Sequence, residues 1–243
     1  MSDASEQERE GNGQGGAAYS PYYKEHGDDR NDLLTNPGVL FQTLAFDRAN
    51  IRAIGKLNLD RSTAKVLDVG CGTGSSILSL LRLGFDPANL SGIDLEQDRI
   101  DRALRQAPNV DFRCGDARQL EFADGTFDLV LESTMFVLMP DESLAKEIAA
   151  EMIRVTRKGR YIMLVDWRYG KPGKSHYRGV SPARIRNLFD VGRRTRVAGV
   201  ERGALIPPVG RFLSRSLPSL YFTVQALVPP LVGQTTTVLE RIS

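Results

Sequence analysis

Apolar residues along this 243-residue chain fall into short runs, and the runs alternate between the two periods of secondary structure. AKVLDVG (64–70), LSGIDL (90–95), VDFRCG (110–115), FDLVLEST (127–134) and YIMLVDW (161–167) have the length and composition of buried strands. Between them the spacing predicts helices over 75–84, closed by Gly84, over 97–107, and from Asp141 to Arg157. Upstream, Asn36 and Pro37 supply a cap and first turn for a helix with an apolar stripe of Val39, Leu40, Leu44, Ile51 and Ile54. Downstream, Ser181 and Pro182 start another helix, and RTRVAGVER (194–202) and TTTVLERIS (235–243) read as two strands that pair antiparallel. Strands alternating with helices predict an α/β fold: a doubly wound, seven-stranded, mostly parallel sheet with an antiparallel C-terminal strand.

Composition divides the chain further. Residues 1–18 are Gly, Glu, Gln, Ser and Asn with few large apolar side chains, and are expected to form a disordered tail. Residues 19–243 then form a single domain, with 19–60 as an N-terminal cap and first helix. The segment 204–233, apolar and carrying five prolines, is expected to be a lid or acceptor-side insertion. No apolar run reaches the roughly 20 residues of a membrane span, and the polar start carries no secretory signal. A soluble, cytoplasmic protein is expected. Two cysteines, Cys71 and Cys114, and two histidines, His26 and His176, form no metal-ligand spacing, so no metal is expected.

Charge is unevenly spread. Residues 1–153 carry 15 Lys/Arg against 26 Asp/Glu, whereas 154–215 carry 16 against 3. Such a basic span can be a solvated face, a docking surface for phosphate or carboxylate, or a contact with anionic lipid or nucleic acid.

VLDVGCGTG (66–74) is a strand that runs into glycines 70, 72 and 74 directly before a helix. Glycine admits close backbone approach, and a helix start presents free N–H groups, so the turn suits a ligand; it could also be a tight turn with none. Ser75 stands where a dinucleotide fingerprint has its third glycine.

Asp68 with GCGTG resembles the first motif of class I S-adenosylmethionine-dependent methyltransferases, and the likeness extends over about residues 38–167. The resemblance implies a Rossmann-like methyltransferase fold and S-adenosyl-L-methionine as cofactor. It implies that Gly70, Gly72 and Gly74 cradle the cofactor, that Asp94 with Leu95 after it meets the ribose, and that Asp116 and the N–H of Ala117 meet the adenine. Glu132 falls where the fourth strand lines the transfer site. In many relatives an aromatic segment ahead of the first helix covers the cofactor, and Tyr22, Tyr23 and Arg30 look like such residues. Asp94 could instead cap its helix, Asp116 hold a turn, and the tyrosines pack as a surface strap.

Methyl transfer needs positioning above all, with a general base if the acceptor is a hydroxyl. Glu132, Asp166 and His176 are the candidate bases, and they favour an oxygen acceptor. ESTMFVLMP after the fourth strand lacks the NPPY-like tetrapeptide that holds planar nitrogens in many relatives, and no RNA-binding module is visible. Nucleic acid is therefore not the expected partner. A small-molecule, glycan or lipid-linked acceptor fits better, with Arg168, Lys171, Lys174 and Arg178 placed to recognise an anionic group on it. Peripheral contact with an anionic membrane and a homodimer are further uses of the same basic, apolar region. The alternatives are a non-catalytic binding or activating partner on this fold and, more distantly, a nicotinamide-dependent oxidoreductase.

Overall fold

Successive residues of a strand point to opposite faces, so a strand covered on both faces must be apolar throughout. Apart from the buried carboxyl groups of Asp68, Asp128 and Glu132 and from Ser133, this holds for β1 (Val66–Val69) and β4 (Phe127–Ser133), whose neighbours in the sheet are β2 (Leu90–Asp94) and β5 (Thr156–Trp167). With β3 (Asp111–Cys114), β6 (Thr195–Arg202) and β7 (Gln234–Arg241) they form one sheet in the order β3-β2-β1-β4-β5-β7-β6. The first five strands are parallel, and β7 runs antiparallel between β5 and β6. The expected fold is the observed one. These elements come from a computed structural model that describes residues 33–243; the expected tail, Tyr22, Tyr23, His26 and Arg30 lie outside the described residues.

Helices cover both faces. Leu67, Val69 and Val130 pack on one side with Ile148, Met152 and Ile185, from α4 (Glu142–Val155) and α5 (Pro182–Leu188). Val66, Leu129 and Leu131 pack on the other with Ile77 and Ile100, from α2 (Ser75–Arg82) and α3 (Gln97–Gln106). The caps expected at two helices form: the Gly38 N–H donates to Asn36 Oδ1 at 3.1 Å, and that of Arg184 to Ser181 Oγ at 3.2 Å.

Three expectations are corrected. In α1 (Pro37–Gly55) the buried stripe is Ala45, Ala49 and Ala53, while Leu40, Leu44 and Ile51 are exposed. Small residues four apart let this helix approach its neighbours closely, and that spacing outweighed side-chain size. β5 begins at Thr156 rather than 161, because Phe127 pairs with Thr156 ahead of a bulge in the register, and α4 ends correspondingly at Val155. The segment 204–233 forms α6 (Pro207–Ser216) and α7 (Tyr221–Leu227), which pack on α1. Leu213 and Tyr221 are buried there with Ala45, and Phe41 stacks on Tyr221 at 5.2 Å. Its apolar residues thus serve a third small core rather than a lid.

Candidate active site

In an open parallel sheet the carboxyl ends of strands diverge where the order reverses, leaving a crevice. Here β1 leads to β2 on one side and β4 on the other, and a cleft of about 650 Å³ opens at their carboxyl ends. Gly70, Gly72, Asp94, Leu95, Asp116 and Ala117 all line it.

Backbone conformation makes the floor, which Gly70 and Gly72 line, while Gly74 packs behind it against Phe112 and Ala103. Gly70, Gly72 and Gly74 have φ of +70°, +56° and +88°, where L side chains are strained. A Cβ on Gly70 would lie 2.9 Å from Met135 Sδ, and one on Gly72 2.9 Å from Arg99 Nη2, so any side chain here would narrow the cleft. Asp94 Oδ2 accepts from the Gly72 N–H at 2.8 Å and Oδ1 from the Glu96 N–H at 3.1 Å, which ties the glycine turn to the end of β2. Arg118 donates from Nε and Nη2 to Asp116 Oδ2 and from its backbone N–H to Oδ1, and the pKa of Asp116 is held below the usual carboxylate range chiefly by the side-chain bonds.

Asp68 lies beneath this floor, 1% exposed, and does not line the cleft. Neither of its oxygens has a hydrogen-bond partner among the described residues. Burial, then the Asp94 charge, push its pKa well above the usual range, against a smaller opposing effect of the Ser76 hydroxyl.

The candidate bases occupy other places than expected. Glu132, 0% exposed, accepts from the N–H groups of Met135 at 3.0 Å and Val165 at 3.2 Å. Asp166, 3% exposed, accepts from Val137 and Trp167 at 2.9 and 2.8 Å. Both carboxyl groups are buried away from the cleft wall and bind backbone amides on each oxygen, so they anchor the 135–137 turn that walls the cleft. Within that turn Thr134 carries φ of +58°, a strained value for a branched residue. His176 sits in the 168–180 loop beside Tyr177 and is not on the cleft wall. Arg168, Lys171, Lys174 and Arg178 are likewise absent from it; Arg178 pairs with Glu142 at 3.3 Å, and Lys171 stacks on Tyr177.

Burial raises Glu132 well above the usual range, with the Asp166 charge adding to it, and burial raises Asp166 to about 7. Between pH 4 and 7 the folded pair holds protons that the unfolded chain has released, so stability falls as pH rises through this window. The melting temperature of the wild type is therefore expected to climb on acidification from about pH 7 to 5.5. In a Glu132→Gln/Asp166→Asn double variant the same scan should be shallower, with Asp68 still contributing; an equal slope would remove the pair as a cause.

Sequence reading missed Arg99, Arg118, Met135, Met139 and Glu147, all on the cleft wall. The place of Arg99, in the first turn after β2, was a readable signal, because that turn starts at the crevice. Arg118 follows Asp116 in the turn after β3, and Met135, Met139 and Glu147 depend on how 133–148 folds back, which no local pattern records.

A glycine-floored crevice at the switch point, edged by a carboxylate at the end of β2 and another after β3, is the arrangement of class I S-adenosylmethionine-dependent methyltransferases, and the central part of the chain is similar to their domain. Residues 66–159 match the methyltransferase domain family. The chain is 36% identical over 106 residues to 2-methyl-6-phytyl-1,4-hydroquinone methyltransferase of Synechocystis, covering 42% of this chain and 31% of that protein. It is 34% identical over 124 residues to phthiotriol/phenolphthiotriol dimycocerosates methyltransferase 1 of Mycobacterium ulcerans, covering 50% and 44%. The chain thus spans less than half the length of these two curated relatives. In fold it is similar to a sarcosine dimethylglycine methyltransferase from Galdieria sulphuraria, with a TM-score of 0.60, 13% identity and coverage of 82% and 86%.

Proposed function

We propose that the protein transfers a methyl group from S-adenosylmethionine to an apolar small-molecule or lipid-linked acceptor. The observation that carries this reading is the cleft itself, in which Gly70, Gly72, Asp94 and Asp116 face an apolar wall of Met135, Leu138, Met139 and Leu144. The residues fit the cofactor. The glycine cradle leaves the space that a Cβ would fill, and the unpartnered Asp68 carboxylate beneath it suits a cationic amino group placed on the turn. Asp94 would accept the ribose hydroxyls, Asp116 and the Ala117 N–H would meet the adenine, and Arg99 would close the ribose side. When bound, S-adenosylmethionine supplies a methyl group already activated by its sulfonium.

What the chain adds is position. Glu132 and Asp166 fix the 135–137 turn, so that an acceptor is held at the end of β4 in one orientation. Of the two grounds for an oxygen acceptor, the absent NPPY-like tetrapeptide stands, but none of the three candidate bases lines the cleft. The reading therefore favours an acceptor that needs no strong base, such as a phenolic hydroxyl or an electron-rich ring carbon, over a glycan alcohol. The names of the two curated relatives support an acceptor with a long apolar tail.

Titration calorimetry with S-adenosylmethionine and with NADH tests the cofactor, and methyl incorporation into prenylated hydroquinones and glycans tests the acceptor. Micromolar binding of the first ligand alone, with label entering the hydroquinones, is the expected result. A folded protein that binds neither ligand would favour the non-catalytic role, and NADH binding the oxidoreductase.

A further inference from the structure

A second concavity lies away from the cofactor cleft, against the face of β6 and β7. It is a groove of about 330 Å³ whose apolar lining includes Val180, Ile185, Val191, Val197, Val200 and Val232. Val197 and Val200 are 50% and 55% exposed, so this side of the edge strand is left without a helix over its apolar residues. The apolar surface continues beyond the groove onto Tyr169, Leu227 and Val228, all exposed. These are one surface, stitched by hydrogen bonds: the Tyr169 hydroxyl donates to the Pro230 carbonyl at 3.1 Å, Arg168 Nη1 to that of Val232 at 3.3 Å, and Arg202 to that of Ala226.

Three cations, Arg168, Arg186 and Arg202, line the groove. None of them forms an ion pair among the described residues: nearby Glu201 is paired to Lys56 and Glu240 to Arg196. Asp190 is the one carboxylate between 167 and 200, a stretch with nine Lys and Arg. The basic span that the cofactor site leaves unused is therefore concentrated around exposed apolar side chains.

We propose that this face docks on a membrane surface rich in acidic phospholipids. Apolar side chains would enter the acyl boundary while the guanidinium groups meet headgroup phosphates, the combination that holds proteins at an interface without a spanning helix. Exposed apolar patches of this kind mark interaction sites. A second copy of the chain is the poorer occupant, since a twofold contact through this face would set arginines against arginines with no carboxylates between them. Nucleic acid would satisfy the charge and leave the valines and Leu227 in water.

Register gives the docking a purpose. Arg202 pairs with Thr235, and Gln234 with Trp167, so the patch reaches from Val197 along β6 to the end of the sheet where β5 finishes, the same end at which the cofactor cleft opens. A chain docked there would present the cleft to the bilayer from which an apolar acceptor comes. Only this last step rests on the methyl-transfer reading, and vesicle binding is measured without cofactor or acceptor.

Flotation of the full chain with vesicles of phosphatidylcholine alone, or of phosphatidylcholine with phosphatidylglycerol, tests the proposal at low and high salt. Binding that needs phosphatidylglycerol and weakens with salt is expected, with at least about a tenfold loss in an Arg168→Glu/Arg186→Glu/Arg202→Glu variant. A Val200→Ser/Leu227→Ser variant, changed only at exposed positions, should also bind more weakly while melting like the wild type. Wild-type protein that ignores phosphatidylglycerol, or a triple variant that floats as well as wild type, would overturn the proposal. So would sedimentation showing a dimer that the triple substitution dissociates and that does not float.

Discussion

Asp94→Ala is expected to weaken S-adenosylmethionine binding by at least about 100-fold, since two hydrogen bonds to a charged acceptor contribute roughly 1.5–3 kcal/mol each. The loss has two sources. The ribose hydroxyls lose their acceptor, and the N–H groups of Gly72 and Glu96, which Asp94 now receives at 2.8 and 3.1 Å, lose theirs. The glycine turn would then be free to leave the shape that makes the cradle. Asp94→Asn keeps one acceptor oxygen and should fall between the two proteins. Calorimetry reads both, and unchanged affinity in the alanine variant, with the cofactor still bound, would remove Asp94 from the site.

Arg184→Met is expected to cost about 3–5 kcal/mol of stability, the range found when one partner of a buried ion pair is removed. The Arg184 side chain is 5% exposed and donates to Glu142 Oε1 at 2.7 Å. It also donates to the carbonyls of Phe136 at 2.9 Å, Arg178 at 2.7 Å and Met139 at 2.6 Å. Methionine matches its length and none of its donors, so three carbonyls would be left to find other partners and Glu142 would keep only its longer pair with Arg178. For a chain of this size the melting temperature should fall by roughly 10 °C or more. Cofactor affinity should fall with it, because Phe136 and Met139 belong to the segment that walls the cleft. Arg184→Lys should recover little, a single ammonium being unable to reach four acceptors at once. A melting temperature close to that of wild type would show that the 136–139 segment is held by other means.

How far the sequence could be read follows from the range of the interactions concerned. The five parallel strands, the caps at Asn36 and Ser181 and the glycine turn are local patterns, and each formed where expected, save that β5 starts earlier, at Thr156. Asp94, Asp116 and Ala117 reached the cleft because the carboxyl end of a strand in a parallel sheet has one place to go. The bases were misread because a carboxylate at a strand end looks the same in sequence whether it faces a ligand or, like Glu132 and Asp166, binds a turn that folds back over it. The segment 204–233 was misread for a related reason. Its prolines and apolar residues announce a packed surface without saying against what, and the alanines of α1 that receive it carry little signal of their own. Arg168 and Arg178, read as contacts for an anionic acceptor, lie off the cleft wall: Arg178 pairs with Glu142, and Arg168 lines a different concavity.

The position of β7 bears on how the chain reaches this state. Although it follows β6 in sequence, it lies between β5 and β6, with seven paired residues on each side. During synthesis β6 emerges with no strand to join, and β5 presents a bare edge until Gln234–Arg241 has been made. An unpaired edge beside exposed valines invites strand addition from other chains. Any shortening that removes this strand would therefore be felt first as aggregation during production, before any defect in cofactor binding could be observed.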